Sequence, residues 1–448
     1  MLKLTVPSDF SPERKYIIKV IFQEYLGLDY SLETEESLKK YIIILPNQSR
    51  VEIIDGFFSN INIETEYLKE EYIPKKIEFS NNNYTIENDI PIIFGNGLLK
   101  KEQIAGTNNK LITCHIDIFA SSFYMLTRWE EHVIKDRDEH DRFPYSSSLA
   151  FKEQFLSRPI VNEYVEMLFN IMIEADPQIP RRSNQFKVHL SHDIDYIKYK
   201  PSLREFAGDI IKRHSFKEFL RRLWFGFIAN PYNSYEFLMS QSDELGRKST
   251  FNLMSGGSHK LDYGNYIESK KLSHILKKIL ARGHMIGFHP SYLTLEDYNK
   301  LEKEKSDLEK VTGKKITEGR QHYLRFEVPY TWRNWNKLGL QYDSTLSYAH
   351  KHGFRCGTCY EYSVFDIIER KNLELKEKPL IAMDTTFVSH QNMNPDQMEN
   401  EVLALINTVK KFNGEFGLLW HTSSFNINTW GPYKKVYMNI ISYLARLL

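Results

Sequence analysis

From Phe186 onward, short apolar runs alternate with stretches whose apolar residues recur every three or four positions. That is the pattern of β-strands joined by amphipathic helices, and it predicts a βα architecture. Strands are expected at Phe186–Ile194, Ser249–Met254, Met285–Phe288, Gly319–Phe326, Ile381–Phe387 and Phe416–Trp420. Helices are expected over Lys217–Phe227, Tyr235–Leu245, Asn265–Ala281, Leu295–Thr312 (with Gly313 just past its end) and Gln397–Phe412. The first part of the chain is patterned differently. Tyr41–Pro46, Val51–Ile54 and Ile90–Gly95 look like strands, and Tyr16–Tyr25 fits helix or strand. Asn81-Asn82-Asn83 and Gly106–Asn109 are turns. Ile116–Val133 reads as an amphipathic helix on Phe119, Phe123, Leu126, Trp129 and Val133. Its tail of Glu130, Glu131 and His132, with the charge run 135–142, could hold a metal but more simply solvates a helix end. A second helix is expected near Ile160–Glu174, and the Pro-containing stretch 176–184 is the best linker.

Composition narrows the class. The 448 residues exceed one ordinary core, so two domains are expected, 1–180 and 186–448. A formal net charge of +1 gives no overall electrostatic case for nucleic acid or anionic membrane. No apolar run is long enough for a transmembrane span, and Met1–Asp9 has no signal-like apolar region. Three cysteines, Cys114, Cys356 and Cys359, fit a reducing compartment, so a cytoplasmic location is expected. Cys356-Gly357-Thr358-Cys359 has CxxC spacing without a second pair, and a loop near the mouth of the site is the expected role.

Chemistry-bearing groups gather at four expected strand ends: His192-Asp193-Ile194-Asp195, Gly283–Pro290 with His284 and His289, Gly319–Tyr323 with Arg320 and His322, and Leu418–Thr422 with His421. Carboxylates at i and i+2 share one face of an extended segment, where they suit a cation or a division into metal ligand and proton acceptor. Alone, such a motif would equally cap a helix or sit in solvent. In a βα-barrel, however, all four ends meet at the C-terminal face. One carboxylate and two imidazoles make a plausible Zn²⁺ or similar divalent site with open positions.

The order and setting of these motifs resemble the polysaccharide deacetylase family (carbohydrate esterase family 4 and its relatives) over roughly residues 186–448. Residues 1–180 resemble an N-terminal domain found in some bacterial members. The resemblance implies an α/β fold, a distorted (β/α) barrel preceded by a smaller α/β N-terminal domain. It also implies a bacterial-type metal-dependent hydrolase, with zinc the expected metal, removing N- or O-acetyl groups from a sugar or polysaccharide precursor. In place of the family's Thr-Phe-Asp-Asp-Gly stands Ser191-His192-Asp193-Ile194-Asp195, which implies Asp193 as base and Asp195 as metal ligand. Gly283–His289 matches Gly-His-Glu-Ile-Gly-x-His and implies His289 as ligand. Leu293 stands where the second histidine ligand is usual, with His322, or else His192, as its replacement. Arg320 matches the arginine that orients the base, Gly339–Thr345 matches a following Gly-x-x-Tyr-Asp-Ser-Ser segment, and Leu419-Trp420-His421 supplies the general acid, His421. Tyr323, Trp332, Trp335 and Trp420 are candidates for stacking on a sugar ring. The alternatives are an inactive relative that binds carbohydrate or a biosynthetic partner, motivated by Leu293, and an amide hydrolase acting on a non-sugar substrate.

Overall fold

The computed structural model describes residues 1–64, 66–197, 202–227, 230, 232–262, 267–425 and 430–448. Eight strands precede residue 117: β1 (Leu2–Pro7), β2 (Tyr30–Glu35), β3 (Lys40–Ile44), β4 (Arg50–Ile54), β5 (Glu78–Asn81), β6 (Asp89–Ile92), β7 (Gly95–Gln103) and β8 (Lys110–Ile116). Six form one mixed sheet in the order β2-β1-β3-β4-β8-β7, and β5 pairs with β6. Leu2, Leu4 and Val6 point inward by the two-residue alternation of a half-buried strand. Tyr16–Tyr25 is helical, within Ser11–Ile18 and its continuation Lys19–Tyr25, and buries Tyr16, Ile17, Val20 and Ile21. The single strand expected over Ile90–Gly95 is divided between β6 and the start of β7.

The stretch 116–133 is two helices, Ile118–Thr127 and Trp129–Val133, because Arg128 turns left-handed (φ 52°) between them. That turn aims a fully buried guanidinium at Glu130 and at Glu131, 2.9 Å away. Glu131 also receives Arg355 from the far end of the chain, through Nε at 2.9 Å and the terminal nitrogen at 2.5 Å. The acids expected to solvate a helix end, or to hold a metal, are instead a buried ion network. The helix Ile160–Ala175 follows, and 177–186 carries no helix or strand.

Nine further strands make the second sheet: β9 (Lys187–Ile194), β10 (Thr250–Leu253), β11 (Met285–Phe288), β12 (Glu318–Gly319), β13 (Tyr342–Asp343), β14 (Tyr362–Asp366), β15 (Lys371–Glu377), β16 (Ala382–Met383) and β17 (Glu415–Leu419). Their order is β14-β15-β13-β12-β11-β10-β9-β17-β16; only β14 runs antiparallel to its neighbour. No pairing among the described residues joins the two ends, so the sheet is open where barrel closure was expected. β9 lies inside the sheet between β10 and β17, third from one edge, and the buried Val188, Leu190 and Ile194 suit a parallel strand covered on both faces.

Two expected strands shrink. Gly319–Phe326 keeps only Glu318–Gly319 as strand and then turns through the short 3₁₀ segment His322–Leu324. Ile381–Phe387 keeps only Ala382–Met383, with a π-type turn over Thr386–His390. Both breaks occur where the chain leaves the sheet to build a cavity wall. The helix expected over Asn265–Ala281 runs Lys270–Ala281; Asn265 and Tyr266 lie outside the described residues. That expected over Leu295–Thr312 runs Tyr298–Thr312 and ends on Gly313 in the left-handed conformation (φ 64°).

One continuous apolar core spans both sheets. Phe365 on β14 packs against Tyr16 and Phe123 at ring separations of 4.9 and 5.6 Å. Arg370 reaches back to Glu13 with two bonds of 2.7 and 2.8 Å. The Cys356–Cys359 loop belongs to this seam and not to the mouth of the site. Its backbone bonds Val161 and Asn162, both thiols are buried, and burial pushes Cys356 up to about 12.

Candidate functional site

The site grows from the end of β9. Parallel pairing sets Asp193 opposite Asn252 of β10, and Asn252 Nδ2 donates to Asp193 Oδ1 at 2.7 Å. Gly287 on β11 makes room for this contact, since a Cβ there would lie 2.0 Å from Asn252 Oδ1. Arg320, fully buried just after β12, donates to the same Asp193 oxygen at 3.0 Å. Its other nitrogens bond Ser191 Oγ and the Ser344 carbonyl, both at 2.9 Å. Burial pushes the Asp193 carboxyl up, but Arg320, with His289 and His421, outweighs it and holds the group below its ordinary range. Oδ1 is therefore occupied, whereas Oδ2 lies 3.9 Å from His289 Nε2.

Two residues further on, Asp195 meets the imidazoles. Its Oδ1 is 3.4 Å from His289 Nε2 and 3.9 Å from His322 Nε2, and its Oδ2 is 3.9 Å from His421 Nε2. Ligand atoms of Asp195, His289 and His322 all lie within 4.8 Å of one another. Each histidine is held through Nδ1: His289 by the Arg320 carbonyl at 2.8 Å, His322 by Asp262 at 3.3 Å, His421 by Asp384 at 2.6 Å. Such outer contacts fix the tautomer and leave Nε2 for the centre.

The protonation pattern separates these groups. Burial raises Asp195, but His289, His421 and His322 together hold it well below the usual carboxylate range. Burial lowers His322, favouring the neutral ring that a metal requires. His421 is also pushed down by burial, yet Asp384, then Asp195 and Asp193, bring it up to about 10. His421 is thus a protonated acid at neutral pH, beside a carboxylate kept ionised.

The donor set fits a divalent cation. Asp195 Oδ1 is buried without a hydrogen-bond partner among the described residues, a costly condition that a cation would relieve. His192 is not a substitute ligand. Strand alternation turns it from Asp193's face, where its Nδ1 bonds the Trp420 carbonyl at 2.9 Å and its ring packs on Phe251. Leu293 sits on the turn Tyr292–Leu295 and does not line the cavity.

That cavity, of 320 Å³, is lined by Asp193, Asp195, His289, His322, His421 and Tyr323, among others. Tyr323 and Leu324 both adopt left-handed backbone (φ 60° and 53°), a strained pair of the kind found at functional sites. Trp332, Trp335 and Trp420 do not stand in this cavity. All three are fully buried; Trp332 donates to Glu377, and Trp420 packs on Tyr437 and Phe425. Their expected stacking role is lost to core packing, and of the stacking candidates only Tyr323 faces the cavity.

The rim includes the charge run expected to be solvated. Arg142 lines the cavity and donates to the Tyr323 carbonyl at 3.0 Å and to Asp138 at 2.8 Å. His140 packs 4.6 Å from the Tyr323 ring, and Asp141 pairs with Arg325 at 2.8 Å. Sequence reasoning missed this rim, and also Asn252, Asp262 and Asp384. A polar residue inside the apolar run Phe251-Asn252-Leu253 was a usable signal, as was an acid directly after Ala382-Met383. Asp262 stands in a loop and carried none.

Residues 2–177 match a family of unknown function, DUF7033. No curated protein matches the chain. Solved structures similar to it are carbohydrate esterase family 4 proteins and related deacetylases. A provisionally assigned polysaccharide deacetylase from Mycobacterium smegmatis is 16% identical, with TM-score 0.39, covering 59% of this chain and 90% of its own. A family 4 pseudoenzyme from Bacillus anthracis is 10% identical, with TM-score 0.31, covering 59% and 62%. A family 4 carbohydrate esterase from Streptomyces lividans is 11% identical, with TM-score 0.30, covering 59% and 89%.

Proposed function

We propose that this protein is a divalent-metal-dependent hydrolase that removes an acetyl group from an N-acetylated sugar or glycan precursor. The observation that carries the reading is the arrangement around Asp195: two imidazoles beside it, a base on one side and a protonated histidine on the other. Asp195, His289 and His322 are the proposed ligands, and a cation held there, with zinc the choice that suits one carboxylate and two imidazoles, would supply Lewis acidity to water and to the acyl carbonyl.

The chain's own residues would handle the protons. Asp193 Oδ2 accepts the proton of the attacking water, while Arg320 and Asn252 hold Oδ1 and keep the carboxylate ionised and aimed. A C–O bond forms at the acyl carbon, the C–N bond breaks, and His421 Nε2 gives its proton to the departing amine. Asp384 keeps that proton on His421 and holds the ring in place. Tyr323 and Arg142 border the space for the sugar. Under this reading residues 186–448, built on the open nine-stranded sheet, form the catalytic half, and 1–180 support it and supply part of the rim.

The test combines zinc titration by calorimetry with acetate release from N-acetylated amino-sugars, for the wild type and His289→Ala. The expected result is one zinc per chain and acetate release, both lost in the variant. Sugar binding without acetate release would replace the hydrolase with a carbohydrate-binding relative. Release from non-sugar amides alone would move the substrate class.

A further inference from the structure

Of the three helices described between β9 and β10, the first two are Leu203–Ile211 and Phe216–Phe227. They face each other across a seam with the Phe206 and Phe219 rings 5.6 Å apart and an Asp209–Arg222 ion pair at 2.6 Å. Their other apolar residues are not in that seam. Leu203, Ala207, Ile210 and Ile211 recur at i, i+4, i+7 and i+8 on the first helix; Phe216, Leu220 and Trp224 recur at i, i+4 and i+8 on the second. Both are single helical faces, and both are exposed, from 49% for Ile210 and Leu220 to 87% for Leu203. Six of the chain's exposed large apolar side chains thus fall within this short hairpin.

The charge around the stripes is one-sided. Residues 198–227 carry eight Lys or Arg against three Asp or Glu, whereas the whole chain is balanced to +1. Arg204, Lys212 and Lys217 are exposed and have no ion pair with the described residues. Trp, Phe, Leu and Ile on one face with Lys and Arg beside them is the composition of a helix that lies in a membrane interface. A protein partner with an apolar groove would match the stripes alone, while an anionic lipid surface matches stripes and charge together. No helix among the described residues is long and apolar enough to cross a membrane, so attachment here would be peripheral.

We infer that the hairpin 203–227 is a docking surface for an anionic lipid bilayer, with Leu203, Ile210, Ile211, Phe216, Leu220 and Trp224 entering the interface and Arg204, Lys212 and Lys217 meeting the headgroups. The inference is independent of the hydrolase reading.

The test is co-sedimentation of the full chain with phosphatidylglycerol-containing vesicles and with pure phosphatidylcholine vesicles, at low and high salt. Binding to anionic vesicles about tenfold or more above neutral ones, weakened by salt, is expected. Phe216→Ser/Leu220→Ser/Trp224→Ser and, separately, Arg204→Glu/Lys212→Glu/Lys217→Glu should each lower it about tenfold. Zinc binding and far-UV dichroism unchanged in both variants would show that the fold survives. Equal binding to both vesicle types, or none, overturns the proposal. So does concentration-dependent dimerisation, abolished by the serine variant, without vesicle binding, which would reassign the stripes to a second copy of the chain.

Discussion

Replacing Asp384 by Asn isolates the electrostatics of the proposed acid. Asp384 is fully buried; its Oδ1 accepts from His421 Nδ1 at 2.6 Å, and its Oδ2 accepts the His421 backbone N–H at 2.9 Å. Asparagine keeps the size and one acceptor oxygen but removes the charge, and it can present an N–H to the ring. Burial alone would carry His421 below its ordinary value near 6.5, whereas Asp384, followed by Asp195 and Asp193, brings it to about 10. Each pH unit is worth about 1.4 kcal/mol, so the rise amounts to roughly 5 kcal/mol in favour of the imidazolium. Asp384 is the nearest and first of three contributors; assigning it half gives ~2–3 kcal/mol, or about two pH units. Acetate release from an N-acetylated sugar, followed from about pH 6 to about pH 11, should show the alkaline limb of kcat/KM move down by about two units. Misorientation of the ring should lower kcat by a further factor of up to roughly 10⁴, the scale of the equivalent change in a Ser-His-Asp triad. The sign also fixes a stability effect. A raised histidine contributes stability that is complete below about pH 6.5 and is lost as pH rises through about 10, so the variant's loss of denaturation midpoint should be largest from about pH 5 to 7 and should vanish by about pH 10. An unmoved alkaline limb, with kcat within threefold of wild type, would refute the role given to Asp384.

Two further outcomes follow from the geometry. Leu293→His recreates the usual second histidine of the family motif, but the position does not line the cavity and His322 already stands there; zinc affinity by calorimetry should change less than about twofold, and a tenfold gain would mean that His322 is not a ligand. Glu131→Gln removes the acid between two buried guanidiniums and should cost about 3–5 kcal/mol in urea denaturation, and a loss under about 1 kcal/mol would show that the two halves do not depend on this network.

The sequence was most informative where one physical rule dominates. The apolar runs at 187–194, 250–253, 285–288 and 415–419 are strands because nothing else in their neighbourhood competes with burial. His289, Arg320, His322 and His421 meet the two acids because parallel strands end on one side of a sheet. It was least informative where side-chain demands override periodicity. Arg128 breaks an otherwise regular helix to reach Glu131, and no spacing rule registers that need. Tyr323 and Leu324 leave the strand conformation that their neighbours favour. The tryptophans near the motifs looked like sugar platforms, but exposure depends on tertiary packing, and Trp332 and Trp420 were consumed by the core. The balanced total charge also concealed a local excess of Lys and Arg over 198–227. A global sum cannot register a segregated surface.

The reach of His140, Asp141 and Arg142 onto Tyr292, Tyr323 and Arg325 has a consequence for how such a chain can diversify. The groups that would move protons belong to strand ends after residue 186, while part of the rim that meets an incoming molecule is inherited from the other end of the gene. Drift in 138–142 can therefore change what is admitted without disturbing Asp193, Asp195 or His421. The reverse also holds: recombination that exchanges one half for a foreign counterpart would transmit the Asp193, Asp195 and His421 cluster but alter the part of the rim that Arg142 supplies. The two halves are bound to be inherited together.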